Sequence, residues 1–261
     1  MRRTPLSLLL TLSLSVPLLS PLACQGAPLP LKMCIFDHPF PPMTFPDGSG
    51  QAQELLRRAS KLQPVLIQNI VAPRFQCMEQ LRTGAVDAML AAFIEERTAY
   101  SAYPMKDASA DATHAVGEVN FMVSRRQGGK VDWDGKQFVG LGRQPVGTQP
   151  GLLHVSRLRQ LGVVIDDSGS SPEQVFAMLA QSRVAAVVTQ QGEGELLIAH
   201  KFRGEIEMLP RPFDATPVYL VVNKIFYRQH QAQIDAYWAV LPQVRQSPDY
   251  QQYLQQYPKT K

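Results

Sequence analysis

The stretch VLIQNIVAPRFQCMEQLRTGAVDAMLAA, residues 65–92, decides the fold class of this chain. Its apolar run at 65–70 predicts a strand, FQCMEQLRTG at 75–84 predicts a helix, and VDAMLAA at 86–92 predicts a second strand. A strand, a helix and a strand at this spacing are typical of a βαβ unit, whose two strands run parallel in one sheet. We therefore expect an α/β protein.

The same order of elements returns later in the chain. VVI at 163–165, PEQVFAMLAQS at 172–182 and RVAAVVT at 183–189 repeat the strand, helix and strand, and a shift of 98 residues places Val65 on Val163. A length of 261 residues also exceeds the roughly 100–200 residues of one domain. Two similar α/β lobes are expected.

The segments around the two units complete the predicted topology. KMCIFD at 32–37 predicts a first strand, and QAQELLRRASKL at 51–62 predicts a helix. Extended runs at 117–126 and 215–224 predict two hinge strands between the lobes. The C-terminal tail predicts an amphipathic helix, which Pro242 should kink or split.

Residues 1–26 have the layout of a secretory signal peptide. Arg2 and Arg3 precede an uncharged, leucine-rich run and then small residues. Cys24 would also suit a lipoprotein signal, but Pro21 stands where that signal prefers leucine, so we favour export without a lipid anchor. The expected location is the periplasm.

Export decides how the cysteines are interpreted. Without the leader, Cys34 and Cys77 form an even pair in an oxidising compartment, which favours one disulfide. The alternative is two separate cysteines, each acting as a small buried apolar side chain.

The charge pattern argues against a nucleic-acid partner. The formal net charge is only +4, and the basic residues are scattered rather than clustered into a stripe with aromatics. The chain also lacks the G-x-S-x-G, H-E-x-x-H, C-x-x-C and phosphate-loop motifs, and its five histidines lie far apart in sequence. No metal, no cofactor and no enzymatic activity are expected.

Six short segments carry a resemblance to a known family. They are IFDHPFPPMTF at 35–45, LRTGAVD at 81–87, EER at 95–97, YP at 103–104, LGRQPVGTQPG at 141–151 and PVYLVVNK at 217–224. In this order and spacing, the chain resembles the type II periplasmic solute-binding proteins, specifically the family 3 binding proteins of polar amino acid ABC transporters. The resemblance covers about residues 30–258.

The resemblance implies a two-lobed Venus-flytrap protein that closes on a small-molecule ligand. Lobe 1 would comprise residues 27–118 and 220–261, and lobe 2 residues 119–219, with two hinge strands. Such a protein is expected to be a monomer that presents its ligand to an ABC permease in the inner membrane or, in some members, to a sensor.

Three first-lobe residues are candidates for the ligand site. Arg97 stands where the family places the arginine that clamps a ligand carboxylate; the alternative is a surface arginine paired with a neighbouring glutamate. Phe40 stands where an aromatic often stacks on the ligand, or else packs as a loop residue on the first lobe. Phe93 would line the same cleft or belong to the core.

Several positions depart from the family pattern. Ala92 and Ile94 replace hydroxyl residues, as do the leucines of Gly151-Leu152-Leu153 in the second lobe. Gln190 replaces the aspartate that binds a ligand ammonium, and a neutral amide cannot offer that charge. The ligand is therefore expected to be a monocarboxylate, an aromatic or hydroxylated acid, or a small peptide-like compound rather than an ordinary α-amino acid.

Glu193 and Glu195 are the remaining acidic candidates in the second lobe. A shifted loop would let them supply the lost negative charge, but a solvated loop is the favoured interpretation. They are also the only groups suggesting a cyclohexadienyl-dehydratase-like enzyme, the less favoured alternative.

Overall fold

The computed structural model describes residues 27–150, 152 and 154–256. The predicted signal peptide and Cys24 lie outside the described residues, as do Gly151 and Leu153. None of the helices in the described part of the chain combines the length and apolar character needed to cross a bilayer.

The described residues form thirteen strands and eight α-helices. The strands are β1 (Leu29–Phe36), β2 (Val65–Ala72), β3 (Ala88–Ala92), β4 (Ser101–Ala102), β5 (Met105–Lys106), β6 (Ser109–Ala110), β7 (Gly117–Arg126), β8 (Asp132–Trp133), β9 (Phe138–Val139), β10 (Val146–Gly147), β11 (Ile165–Asp166), β12 (Ala186–Gln190) and β13 (Ile206–Asn223). The helices are α1 (Gln51–Leu62), α2 (Arg74–Thr83), α3 (His154–Gln160), α4 (Pro172–Ala180), α5 (Gln191–His200), α6 (Lys224–Gln229), α7 (Gln231–Gln246) and α8 (Pro248–Gln256). Two 3₁₀ segments span Glu95–Ala99 and Ala112–His114.

Nine of these strands form one curled sheet. Its order is β11-β10-β12-β7-β13-β3-β1-β2, with β4 paired on β13. At each end a βαβ unit encloses one further parallel strand: β1 lies between β2 and β3, and β10 lies between β11 and β12. This matching arrangement confirms the predicted α/β class.

The two predicted hinge segments lie at the centre of the sheet. β7 and β13 pair antiparallel from Gly117 opposite Val218 to Arg126 opposite Ile206. β13 begins at Ile206, well before the predicted segment 215–224. Its first part is irregular, with register shifts between Met208 and Asp214. The prediction missed this part because it contains prolines, which argue against a strand.

Helix α7 packs against α1 and is not split at Pro242. It continues to Gln246, so of the predicted kink or split, the split does not occur. Its buried stripe, which includes Tyr237 and Leu241, supplies the packing that outweighs the hydrogen bond lost at the proline.

The Cys34–Cys77 pair forms a disulfide, which confirms the prediction. The bond joins the middle of β1 to the first turns of α2. It therefore ties the start of α2 to the strand beside which that helix packs.

Candidate ligand-binding site

The carboxyl ends of β1, β2 and β3 meet at one edge of the sheet. In the β1–β2 register Phe36 pairs with Ala72, so His38 and Arg74, each two residues further on, leave the sheet side by side. Arg97 follows the end of β3 at the same edge. Ligands of open α/β sheets bind in the crevice outside these strand ends.

Arg97 is a buried cation, and hydrogen bonds from one nitrogen of its guanidinium, Nη1, hold it in place. Its side chain lies in the 3₁₀ segment with 7% of its surface exposed. Nη1 donates to the Ala92 carbonyl oxygen at 2.6 Å and to the Tyr103 hydroxyl at 3.0 Å, and that hydroxyl donates to the same carbonyl at 3.1 Å. This arrangement fixes the direction of the guanidinium.

The rest of the Arg97 guanidinium is available to a ligand. Within the described residues Arg97 makes no salt bridge, so the pairing with Glu95 or Glu96 considered above is not formed. None of its nitrogens is among the buried side-chain atoms that lack a partner. Nε and Nη2 therefore keep contact with solvent.

Arg74 begins α2 directly after β2. Desolvation lowers the pKa of Arg74; the Glu193 charge opposes this effect, and the Arg97 charge adds to it. The residue is nevertheless exposed to solvent. These couplings place Arg74 near both Arg97 and Glu193. Sequence reasoning missed Arg74 because the first position of a helix is ordinarily a surface position.

Glu193 lies on the first turn of α5. The Gln190 side chain caps this helix, with its Oε1 accepting from the Glu193 backbone N–H at 2.7 Å. Burial raises the pKa of the Glu193 carboxyl to about 7, and the charges of His38 and Arg74 oppose that shift. The Glu193 carboxyl is therefore within electrostatic reach of the first-lobe residues His38 and Arg74.

The prediction of a solvated loop at Glu193 and Glu195 is wrong, because both residues belong to α5. Two glycines, Gly192 and Gly194, lower the helix propensity of QGEGE, which hid the helix. The sequence did carry one signal for the start of this helix, the three-residue spacing from Gln190 to Glu193 that is typical of a capping box. Glutamine, however, is not a favoured N-cap residue.

Gln190 uses both ends of its amide within the protein. Besides capping α5, it donates from Nε2 to the Pro41 carbonyl oxygen, and it is 4% exposed. The resemblance implies a ligand-binding aspartate at position 190. Gln190 instead joins α5 to the loop after β1.

Phe40 lies in that same loop. Its ring is half-buried and meets Phe36 edge-on at 5.6 Å, while Phe36 stacks on His38 at 5.5 Å. These three rings bring the Phe40 loop to the strand edge that also carries Arg74.

Phe93 packs on a different wall. Its ring meets Tyr103 edge-on at 5.1 Å. It also borders a cavity of about 620 Å³ that Tyr227 and Trp238 line from α6 and α7. Tyr103 is thus the residue that connects Phe93 to Arg97.

No group of three His, Cys, Asp or Glu side chains in residues 27–150, 152 and 154–256 is placed to hold a metal ion. Charged groups at this strand edge include two guanidiniums, the His38–Asp37 pair, joined at 2.9 Å, and the glutamates that begin the 3₁₀ segment after β3. Their chemistry is that of ion recognition.

No family model and no curated protein matches this sequence. Solved structures do match over most of its length. The VFT2 domain of Bordetella pertussis BvgS has a TM-score of 0.63 at 14% identity and covers 88% of this chain and 93% of its own. The GluR0 ligand-binding core from Nostoc punctiforme, in complex with L-glutamate, has a TM-score of 0.60 at 15% identity and covers 89% and 100%.

An ancestral arginine-binding protein bound to arginine has a TM-score of 0.61 at 16% identity and covers 87% of this chain and 97% of its own. A histidine kinase sensor domain with similarity to periplasmic binding proteins reaches 0.62 at 17% identity and covers 87% and 95%. At these identities the similarity shows the fold alone. The chain therefore has the two-lobed Venus-flytrap fold of the periplasmic binding proteins.

Proposed function

We propose that this chain is a periplasmic solute-binding protein that takes up a small carboxylate-bearing solute between its lobes and delivers it to an ABC permease. The proposed lobes are residues 27–118 with 220–261 and residues 119–219, with hinge segments near 117–126 and 215–224. The observation that carries the proposal is Arg97, a buried guanidinium oriented by Ala92 and Tyr103 without an acidic partner in the described residues.

An unpaired buried cation is costly, so such a group is normally neutralised by an anion. A guanidinium offers a planar fork of N–H donors that matches both oxygens of a carboxylate. A ligand carboxylate on Nε and Nη2 of Arg97 would supply the missing negative charge.

Closure of the lobes would complete the site. Asn120 Nδ2 donates to Gln191 Oε1 at 3.1 Å, and Gln190 meets Pro41, so α5 approaches both β7 and the first-lobe loop. A ligand stabilises such a closed form only to the extent that it binds that form more tightly than the open one. The ligands named for GluR0 and for the ancestral arginine-binding protein are amino acids, which supports an amino-acid-like solute here.

The test is a thermal-shift screen of amino acids, hydroxy acids and aromatic acids on the wild-type protein and on Arg97→Gln. The strongest ligand should stabilise the wild type and lose roughly 30-fold or more in affinity for Arg97→Gln, because one partner of a buried charge pair is removed. Arg82→Gln is the matched control, since Arg82 is an exposed arginine paired with Glu79 on α2. Equal stabilisation of the wild type and Arg97→Gln would disprove the proposed site.

A second candidate is a ligand sensor, which the histidine kinase sensor domain among the similar structures favours. Deletion of the gene separates the two roles. Lost uptake of the ligand supports delivery to a permease, whereas normal uptake with a lost transcriptional response to the ligand supports sensing.

A further inference from the structure

We infer that this protein has a second small-molecule site, outside the cleft, that takes an amine with an aromatic body. The site is the cavity of about 620 Å³ that Phe93 borders. Its walls come from two segments of the chain, 93–114 and 224–238. Both segments belong to the proposed first lobe, so the cavity is separate from a cleft between the lobes and from the function proposed for that cleft.

Aromatic rings form much of the apolar wall. Besides Phe93, the cavity is lined by Tyr103, Tyr227 and Trp238, and the last two rings stack at 5.4 Å. Tyr103 is 4% exposed and Trp238 is 3% exposed, so packing holds both rings in place. Small-molecule sites have volumes of roughly 300–1,000 Å³ and are lined mainly by apolar and aromatic side chains. The cavity therefore suits a flat apolar body.

The acidic residues of the lining favour a positively charged ligand. Glu95 and Asp235 line the cavity, and neither forms a salt bridge within the part of the chain that the structure describes. The Tyr227 hydroxyl donates to Asp235 Oδ1 at 2.8 Å, which positions that carboxylate at the edge of an aromatic ring. An ammonium beside Asp235 would meet both a carboxylate and an aromatic surface.

The basic residues of the lining already have partners. Lys224 Nζ donates to the Thr98 carbonyl oxygen at 2.8 Å, and His114 pairs with Asp111 at 3.2 Å. Two carboxylates against one lysine leave the lining with one surplus negative charge. Aromatic faces also attract cations. Both effects favour an ammonium over a carboxylate, which is the reverse of the preference proposed for the cleft.

One residue of the wall has an unpartnered polar group. Ser101 lines the cavity and is 2% exposed, and its hydroxyl is among the buried side-chain atoms without a hydrogen-bond partner in the described residues. Most buried polar side-chain atoms in proteins do have such a partner. A polar group of a bound molecule would supply the partner that this wall lacks.

A matched pair of compounds tests the preference for an amine. Tryptamine and tryptophol share an indole ring and a two-carbon chain, and they differ only in an ammonium in place of a hydroxyl. Neither has a carboxylate, so the site proposed at Arg97 cannot explain their binding. Calorimetric titration of the wild-type protein should show tryptamine binding about tenfold or more tightly than tryptophol.

Variants place the binding in the cavity. Asp235→Asn should bind tryptamine about tenfold more weakly and tryptophol as the wild type does. Asp249→Asn is the matched control, because Asp249 is an exposed acid on the first turn of α8 and does not line the cavity. Ala108→Phe should weaken both compounds about tenfold or more, since Ala108 lines the cavity from the exposed turn between β5 and β6. Circular dichroism should show all three variants folded.

Three results would overturn the inference. They are failure of tryptamine to bind the wild type, equal affinity of the wild type for the two compounds, and wild-type affinity for tryptamine in Asp235→Asn or Ala108→Phe. None of them concerns the carboxylate site, because that site is tested with other ligands and with Arg97→Gln.

Discussion

The backbone of Gly192 lies so close to Pro41 that a Cβ atom on Gly192 would stand 2.6 Å from the Pro41 carbonyl oxygen. The same oxygen accepts the hydrogen bond from Gln190 Nε2. The start of α5 and the loop after β1 therefore meet through a residue without a side chain. These elements belong to different proposed lobes, so the closed form depends on this contact.

Gly192→Ala should open the protein. The backbone oxygen of Pro41 cannot move aside as a flexible side chain does, so the added methyl group should separate α5 from the loop. We expect a larger radius of gyration in small-angle scattering and a ligand affinity roughly tenfold or more weaker, because fewer molecules are in the binding-competent form.

Gly194→Ala is the control for that experiment. Its Cβ would first meet the terminal methyl of Met208, at 2.8 Å, which can rotate away. A Gly192→Ala variant with the scattering profile and affinity of the wild type would show that the contact does not control closure.

Tyr103→Phe should weaken ligand binding with little loss of stability. The variant loses the hydroxyl that accepts from Arg97 and donates to Ala92, so the guanidinium is less well oriented. We expect affinity to fall about three- to tenfold and the free energy of unfolding to fall by about 1 kcal/mol. Tyr219→Phe is the matched control, since Tyr219 packs edge-on against Tyr103 at 6.1 Å. A Tyr103→Phe affinity no lower than that of the control would contradict this role.

Reduction of the Cys34–Cys77 disulfide should destabilise the protein. The bond closes a loop with a sequence separation of 43, for which the chain-entropy model predicts about 4 kcal/mol of stabilisation. Urea unfolding with and without dithiothreitol measures the difference. The double variant Cys34→Ala, Cys77→Ala should unfold at the midpoint of the reduced wild type and should not respond to the reductant. If the reductant left the wild-type midpoint unchanged, the disulfide would not contribute to stability.

Glu193→Gln should change how stability depends on pH. Burial raises the folded-state pKa of Glu193 from 4.5 to about 7, so the folded protein binds the proton more tightly than the unfolded chain does. Wild-type stability should then decline as pH rises from 4.5 to about 7, by up to about 3 kcal/mol.

The measurement is urea unfolding of both proteins across that range, without ligand. The glutamine variant should be the more stable protein at about pH 8, and the two should converge below pH 4.5, where the wild-type carboxyl becomes protonated in both states. Parallel curves would show that the Glu193 carboxyl is not desolvated in the folded protein.

Local patterns in the sequence predicted much of the fold. The alternation of residues 65–92 and its repeat at 163–189 predicted two βαβ units, and each unit is present with one parallel strand inserted. The cysteine pair was also predictable, because the export expected from residues 1–26 would leave two cysteines in an oxidising compartment. The length of β13 was not predictable, since its prolines argue locally against a strand that the pairing with β7 maintains.

By itself, the sequence determined the strands and helices of the two βαβ units and made Arg97 a candidate, because hydrophobic periodicity and strand-end positions are local properties. Only the tertiary structure brought Arg74 within electrostatic reach of Arg97 and Glu193. The end of β2 beside β1 sets the position of Arg74, and the capping of α5 and its contact with the Pro41 loop set that of Glu193. Charges far apart in the chain interact only after folding has brought them together and excluded water between them.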